Sequence, residues 1–307
     1  MGIIIKCLTD FSHVLSSGNY GTLHKVKPND KTMKRIIVPV DFSKYSENAF
    51  LTALKIADKT NSSITCVNAV PSHLDWKKLS QAKKAEHPNI LDAEAEAKDK
   101  LKAFVLDHKL GGVPVETYVE VGFPFQVILD VSTMHNADLI VIGAYGKEHT
   151  NEKFLGSNLQ KVLRESDCPV LAVKNAMDGN ALRKVAFASM FDEDSRPAFT
   201  KMKAVLKDFK TSVHFLYVNT PSEFANSADA QSKMDKYAKG FEDLVIHKHI
   251  YNHKETENGI VEFAESHKMG FIGIASSNRK GKNSYMVGVT DTVLFKSELP
   301  VLSVKVS

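Results

Sequence analysis

The amino-acid sequence predicts an α/β protein with two tandem parallel-sheet domains. Three observations carry that prediction. Short, wholly apolar runs alternate with amphipathic stretches, and such runs suit strands covered on both faces. The alternation occurs twice, in the same order. A spaced glycine signature, Gly143-x2-Gly146-x9-Gly156-Ser157, directly follows the apolar run Leu139-Ile140-Val141-Ile142. Strands alternating with helices mean a parallel sheet with right-handed crossovers.

In order, Ile36–Val40 reads as a short buried strand. Ser43–Ala57 follows as a helix, with Ala49, Phe50, Ala53, Leu54 and Ala57 at helical spacing and Ser43 as a good N-cap. Ile64–Val70 is a second strand, and Pro71 to about Asn89 reads as an irregular connection packed down by Trp76. Asp92–Leu106 is a helix with Ala97, Leu101 and Phe104 on one side. Val115–Val121 is a third strand and Phe125–Met134 a helix. Leu139–Ile142 and Val170–Val173 are the last two strands, flanking a helix over Ser157–Arg164.

The second half repeats this plan. Lys184-Val185-Ala186-Phe187 corresponds to Arg35-Ile36-Ile37-Val38, and Val213–Val218 to Ile64–Ala69. Phe271-Ile272-Gly273-Ile274 corresponds to Leu139–Ile142, and Leu299–Lys305 to Cys168–Lys174. The boundary is placed near Asn175–Leu182, where Asp178-Gly179-Asn180 supplies turn chemistry. The expected domains are therefore 33–175 and 183–307. Residues 1–32 read as a poorly packed extension, because Met33-Lys34-Arg35 leads straight into a strand.

Composition narrows the function classes. Apolar content of 43% and charged content of 25% are globular values. The formal charge of +4 is mild and its Lys and Arg are scattered, so no nucleic-acid stripe is present. Cys7, Cys66 and Cys168 make no secreted disulfide pattern. No apolar run reaches the length of a membrane span. The location this suggests is the cytoplasm.

The glycine signature reads as a phosphate cradle. Small residues let a backbone approach a polyanion, and a helix N-terminus then presents free N–H groups to it. In the second half the signature is worn to Ala275-x2-Asn278-x9-Gly288-Val289, and Met190 stands where the first half has Asp41. Added Cβ atoms and a lost hydroxyl predict no nucleotide there.

Five separated motifs resemble a known family. They are Val38-Pro39-Val40-Asp41-Phe42-Ser43, Val121-Gly122-Phe123-Pro124, Asp138–Gly143, the glycine–serine spacing, and Cys168-Pro169-Val170-Leu171-Ala172-Val173. The chain resembles a tandem universal stress protein over residues 34 to 307. That resemblance implies two doubly wound five-stranded sheets of the adenine nucleotide alpha hydrolase-like type, arranged as a pseudo-dimer. It implies ATP or another adenine nucleotide, with or without Mg, at the carboxyl ends of the strands. Pro39, Val40, Asp41 and Ala69 would border the adenosine. Gly143, Gly146, Gly156, Ser157 and Asn158 would surround the phosphates. Ala69 and Asn158 depart from the valines usual in nucleotide-binding relatives. Fifth-strand edges often pair across a two-fold in this family, so Val170, Leu171 and Val173 would meet Val301, Leu302 and Val304.

Alternatives stay open for single residues. Asp41 is either a nucleotide contact or a helix-start carboxylate. Lys147 and Lys153 are either phosphate contacts or solvated loop charges. His247 and His249 share a strand face, with His253 nearby, but no third metal ligand stands at a diagnostic spacing. No Walker A, nucleophile elbow, HExxH or CxxC pattern occurs. The expected function is regulatory adenine-nucleotide binding in the first domain only, with the second a scaffold and an unidentified protein as the partner. The alternatives are a nucleotide-free interaction or chaperone-like protein, or a slow ATPase. Gly143→Val and Asp41→Ala are both expected to abolish binding with the fold intact.

Overall fold

A computed structural model describes residues 33–108, 111–146, 155–277 and 288–306 of the chain. The N-terminal extension, Lys147, Lys153 and Asn278 lie outside the described residues. The first half comprises β1 (Arg35–Pro39), α1 (Lys44–Thr60), β2 (Ser63–Pro71), α2 (Gln81–Ala85), α3 (Pro88–His108), β3 (Val115–Gly122), α4 (Pro124–Met134), β4 (Leu139–Gly143), α5 (Ser157–Glu165) and β5 (Val170–Val173). The second comprises β6 (Lys184–Ala188), α6 (Arg196–Phe209), β7 (Ser212–Asn219), α7 (Ser227–Ala238), β8 (Ile246–Asn252), α8 (Thr256–Ser266), β9 (Phe271–Ser277), α9 (Val289–Lys296) and β10 (Val301–Val306).

The elements agree with the sequence pattern and differ mainly at their ends. Ser43 caps α1 by accepting from the Ser46 N–H. The helix continues to Thr60 and stops where Asn61 turns left-handed (φ 53°), its N–H on Ala57 O. The connection expected to be irregular contains a 3-10 turn at Trp76–Lys78 and the short α2. The next helix starts at Pro88 rather than Asp92, because proline suits a first helical turn. Trp76 is buried and donates its Nε1–H to Glu94 (3.3 Å), tying the connection to α3.

The ten strands described form one sheet in the order β3-β2-β1-β4-β5-β10-β9-β6-β7-β8. Within each half every pairing is parallel. The halves join where β5 and β10 pair antiparallel, with Val301 opposite Ala172, Leu302 opposite Leu171 and Ser303 opposite Val170. Each half is doubly wound, and its strand order reverses between β1 and β4 or between β6 and β9.

Period-2 alternation splits the apolar side chains between two faces. Ile36, Val38, Leu139, Val141 and Leu171 face the core under α1, α3, α6 and α7. Ile37, Ile140, Ile142, Val170 and Ala172 face the core under α4, α5, α8 and α9. Both cores run through both halves. No helix among the described residues is long and apolar enough to cross a membrane.

Candidate nucleotide site

The first half's switch point lies between the carboxyl ends of β1 and β4, where open sheets of this kind leave a ligand crevice. β1 is held open-ended there. The Val40 N–H bonds Val67 O at 2.8 Å, and buried Asn68 donates its Nδ2–H to Val40 O at 2.7 Å. Asp41 then leaves the sheet, and Phe42 adopts φ 63° so that α1 can start at once. Asp41 Oδ1 accepts from the Ser43 N–H (3.0 Å) and the Ser43 O–H (2.6 Å). The helix-start role of Asp41 is thus present, and Oδ1 is the oxygen that serves it.

The other oxygen faces the glycines. A Cβ built on Gly146 would lie 3.1 Å from Asp41 Oδ2. A Cβ on Gly156 would lie 3.8 Å from the Gly146 N and 3.9 Å from Ala144 O. Gly156 is the N-cap of α5 and offers no side-chain acceptor, and the first turn of α5 holds no acidic residue. Ser157 and Asn158 open that turn and are exposed. Asp41, Gly146, Gly156 and an uncapped helix start therefore meet in one place. Ala69 lies one alternation beyond Val67 on β2 and packs on the core face that α4 and α5 cover. Val40 is buried toward the opposite core, and Pro39 ends β1.

Gly143 is also a packing position. Its Cβ would lie 2.7–2.8 Å from the Tyr45 C, O and Cβ, so this glycine is demanded by the first turn of α1 packing on β4. Gly143→Val would strike this helix backbone, so the first turn of α1 must shift and the variant does not test binding alone.

The second half repeats this backbone with different side chains. The Ser189 N–H bonds Leu216 O as the Val40 N–H bonds Val67 O. Phe191 takes φ 57° where Phe42 takes 63°. The left-handed residue is therefore a property of this strand–helix turn and not of a ligand. Asp192 caps the turn in place of Ser43. Met190 lies against the apolar core where the first half has Asp41. The first turn of α9 carries its own carboxylate: Asp291 is buried and accepts from Arg164 of α5 at 3.1 Å.

Sequence reasoning missed a neighbouring cleft at the ends of β2 and β3, lined by His73, Trp76, Lys77, Glu120, Phe123 and Asp130. Lys77 sits 2.5 Å from Glu120 and 3.6 Å from Asp130, and Glu120 raises its pKa. That side chain fills the acidic end of the cleft. His253 also lies apart from His247 and His249, turned to Glu255 O and Glu262.

This fold defines a doubly wound α/β protein with a crevice at the switch point of each half. Residues 32–174 match the model of the universal stress protein family. Over 145 residues the chain is 32% identical to a universal stress protein of Thermus aquaticus, covering 98% of that protein and 46% of this chain. Over 170 residues it is 28% identical to universal stress protein MJ0531 of Methanocaldococcus jannaschii, covering 94% of that protein and 52% of this chain. A universal stress protein structure from Archaeoglobus fulgidus shares the fold at TM-score 0.67 and 20% identity, covering 89% of this chain and 98% of that one. The chain belongs to the universal stress protein family.

Proposed function

We propose that the protein is a regulatory adenine-nucleotide binder with one site, in the domain 33–175, and that 183–307 is a scaffold domain. The single observation that carries the reading is the meeting of Asp41, Gly146 and Gly156 at the uncapped start of α5. Bare amides at a helix start favour an anion. The equivalent start in the second half already holds Asp291, so a phosphate there would meet a like charge.

In this reading Asp41 Oδ2, Pro39, Val40 and Ala69 border the adenosine, while Gly143, Gly146, Gly156, Ser157 and Asn158 supply the phosphate wall. The nucleotide is ATP or another adenylate, with or without Mg. The two domains pair about a pseudo-two-fold through β5 and β10, and a protein partner in the cytoplasm reads a surface that the nucleotide alters. Hydrolysis, where it occurs, is slow and incidental, because among the described residues no metal-holding set accompanies Asp41.

Titration calorimetry of the full chain with ATP tests the reading. One nucleotide per chain is expected, and at 100-fold excess over Kd it stabilises by about 2.7 kcal/mol. Asp41→Ala should abolish binding with the circular dichroism spectrum unchanged. No binding, two nucleotides per chain, or full binding by Asp41→Ala would overturn it, the first in favour of a nucleotide-free interaction protein.

A further inference from the structure

Four histidines from three elements meet on the sheet face beneath α8. His214 of β7 and His249 of β8 lie 2.9 Å apart, Nδ1 to Nε2. His247 is the register partner of His214 and stacks on it with ring centres 4.7 Å apart. His267 caps α8 and stacks on Phe263 at 4.1 Å, with its ring 5.9 Å from that of His249. Phe263 lies 5.0 Å from His249 and closes the group from above. Among the described residues no set of three His, Cys, Asp or Glu is disposed to hold a metal. His267 Nδ1 lies 3.0 Å from both Phe263 O and Ser266 Oγ, and His247 and His267 are exposed at the rim of the group.

The charge around the pair has one sign. The ionisable neighbours that act on His214 are His249, His247, Lys184 at the start of β6, and His267. Those that act on His249 are His267 and His247. The nearby carboxylates are committed elsewhere. Asp235 of α7 pairs with Lys248, the residue between the two β8 histidines, and Glu262 of α8 faces His253 and Tyr251. Burial first, and these neighbours second, lower the pKa of His214 to about 4 and also lower that of His249. At neutral pH both rings are therefore neutral and share one proton across the 2.9 Å contact.

The position of β8 gives this pair a consequence. β8 ends the sheet, so within the sheet β7 alone holds it. One added proton goes to the outward nitrogen of the donor ring and leaves a charge-assisted hydrogen bond between the rings. Only when both rings are protonated do two N–H groups and two like charges face each other. We propose that the cluster of His214, His247, His249 and His267 is an acid-operated release for edge strand β8: protonation of both His214 and His249 removes their hydrogen bond and loosens β8 from β7. The same acidification leaves β3, the opposite edge, without such a pair.

Hydrogen exchange of the full chain from pH 7.5 to 3.5, with labelling times scaled to the intrinsic rate at each pH, tests this. Peptides covering β8 should lose at least tenfold in protection between pH 5 and 3.5, while peptides covering β3 keep theirs. The double variant His214→Leu/His249→Leu should keep β8 protected throughout. Protection of β8 that is flat with pH, or lost equally in the variant, overturns the proposal. Should the variant not fold, imidazole NMR titration of the unaltered protein decides. Two rings titrating well below pH 6 together with β8 exposure support it, and all twelve histidines titrating near the free value overturn it.

Discussion

Gly143 and Gly156 belong to one sequence signature, yet the structure predicts opposite responses to the same added methyl group. In Gly143→Ala the new Cβ falls 2.7–2.8 Å from main-chain and Cβ atoms of Tyr45. Ordinary contact would need roughly 0.7 Å more, and what must move is the first turn of α1, whose Tyr45 ring also packs edge-on against Tyr145 at 5.0 Å. Overpacking of this kind costs about 1–3 kcal/mol. For a chain of this size a 2 kcal/mol loss lowers the thermal midpoint by roughly 3 °C. In Gly156→Ala the Cβ meets nothing closer than 3.8 Å among the described residues, and φ −59°, ψ 133° is open to alanine. Loss of unfolded-state freedom offsets alanine's poorer N-cap propensity, which leaves the change roughly neutral. Urea and thermal unfolding of both variants without nucleotide give the comparison. A Gly143→Ala protein within about 0.5 kcal/mol of the parent, or a Gly156→Ala protein equally weakened, would refute the assignment of Gly143 to packing and Gly156 to an open wall.

Other consequences are as direct. The Ser303 hydroxyl is buried at the β5–β10 junction with no hydrogen-bond partner, and the first half has Ala172 at the corresponding place. Ser303→Ala should therefore raise stability by roughly 1 kcal/mol in urea unfolding, and a loss of that size would reveal a partner for the hydroxyl. Stability should also fall with acid. His214 carries a depressed pKa of about 4 in the folded chain, so between about 6.5 and 4 the unfolded state binds more protons. Its contribution is complete above about pH 6.5 and is lost as pH falls toward 4. The size is roughly 1–2 kcal/mol after allowance for partial solvent exposure. His214→Leu should flatten that part of the pH–stability curve, and an unaltered curve would exclude the histidine as its source. Burial pushes the Cys66 thiol up and leaves it fully covered. A thiol reagent should modify Cys66 only on unfolding, as peptide mapping would show, and native labelling would contradict its placement.

Much of this molecule is legible in local pattern. Apolar runs such as Ile36–Val38 and Leu139–Ile142 announce strands because both of their faces are buried. The repeat announces two equivalent sheets, because each corresponding run recurs in order. Ser43 marks the start of α1 through chemistry confined to one turn, whereas the helix runs past the expected Ala57 to Thr60. Local pattern misjudged the connection after β2, where Trp76 and Pro88 organise what composition suggested was loop.

What required the folded chain were relations between distant residues. Sequence spacing treats three glycines alike; only the approach of α1 to β4 separates Gly143, which admits a helix, from Gly156, which opens a wall. The worn signature of the second half suggested an empty site. The tertiary structure adds that Asp291, tied to Arg164 of the first half, already occupies that helix start. His214 and His267 stand far from His247 and His249 in the chain and join them only because β7, β8 and α8 pack together. The physical reason is common to all three cases. Burial periodicity is written into each segment by its own residues, whereas steric clearance, charge pairing and shared protons depend on distances that exist only after the segments meet.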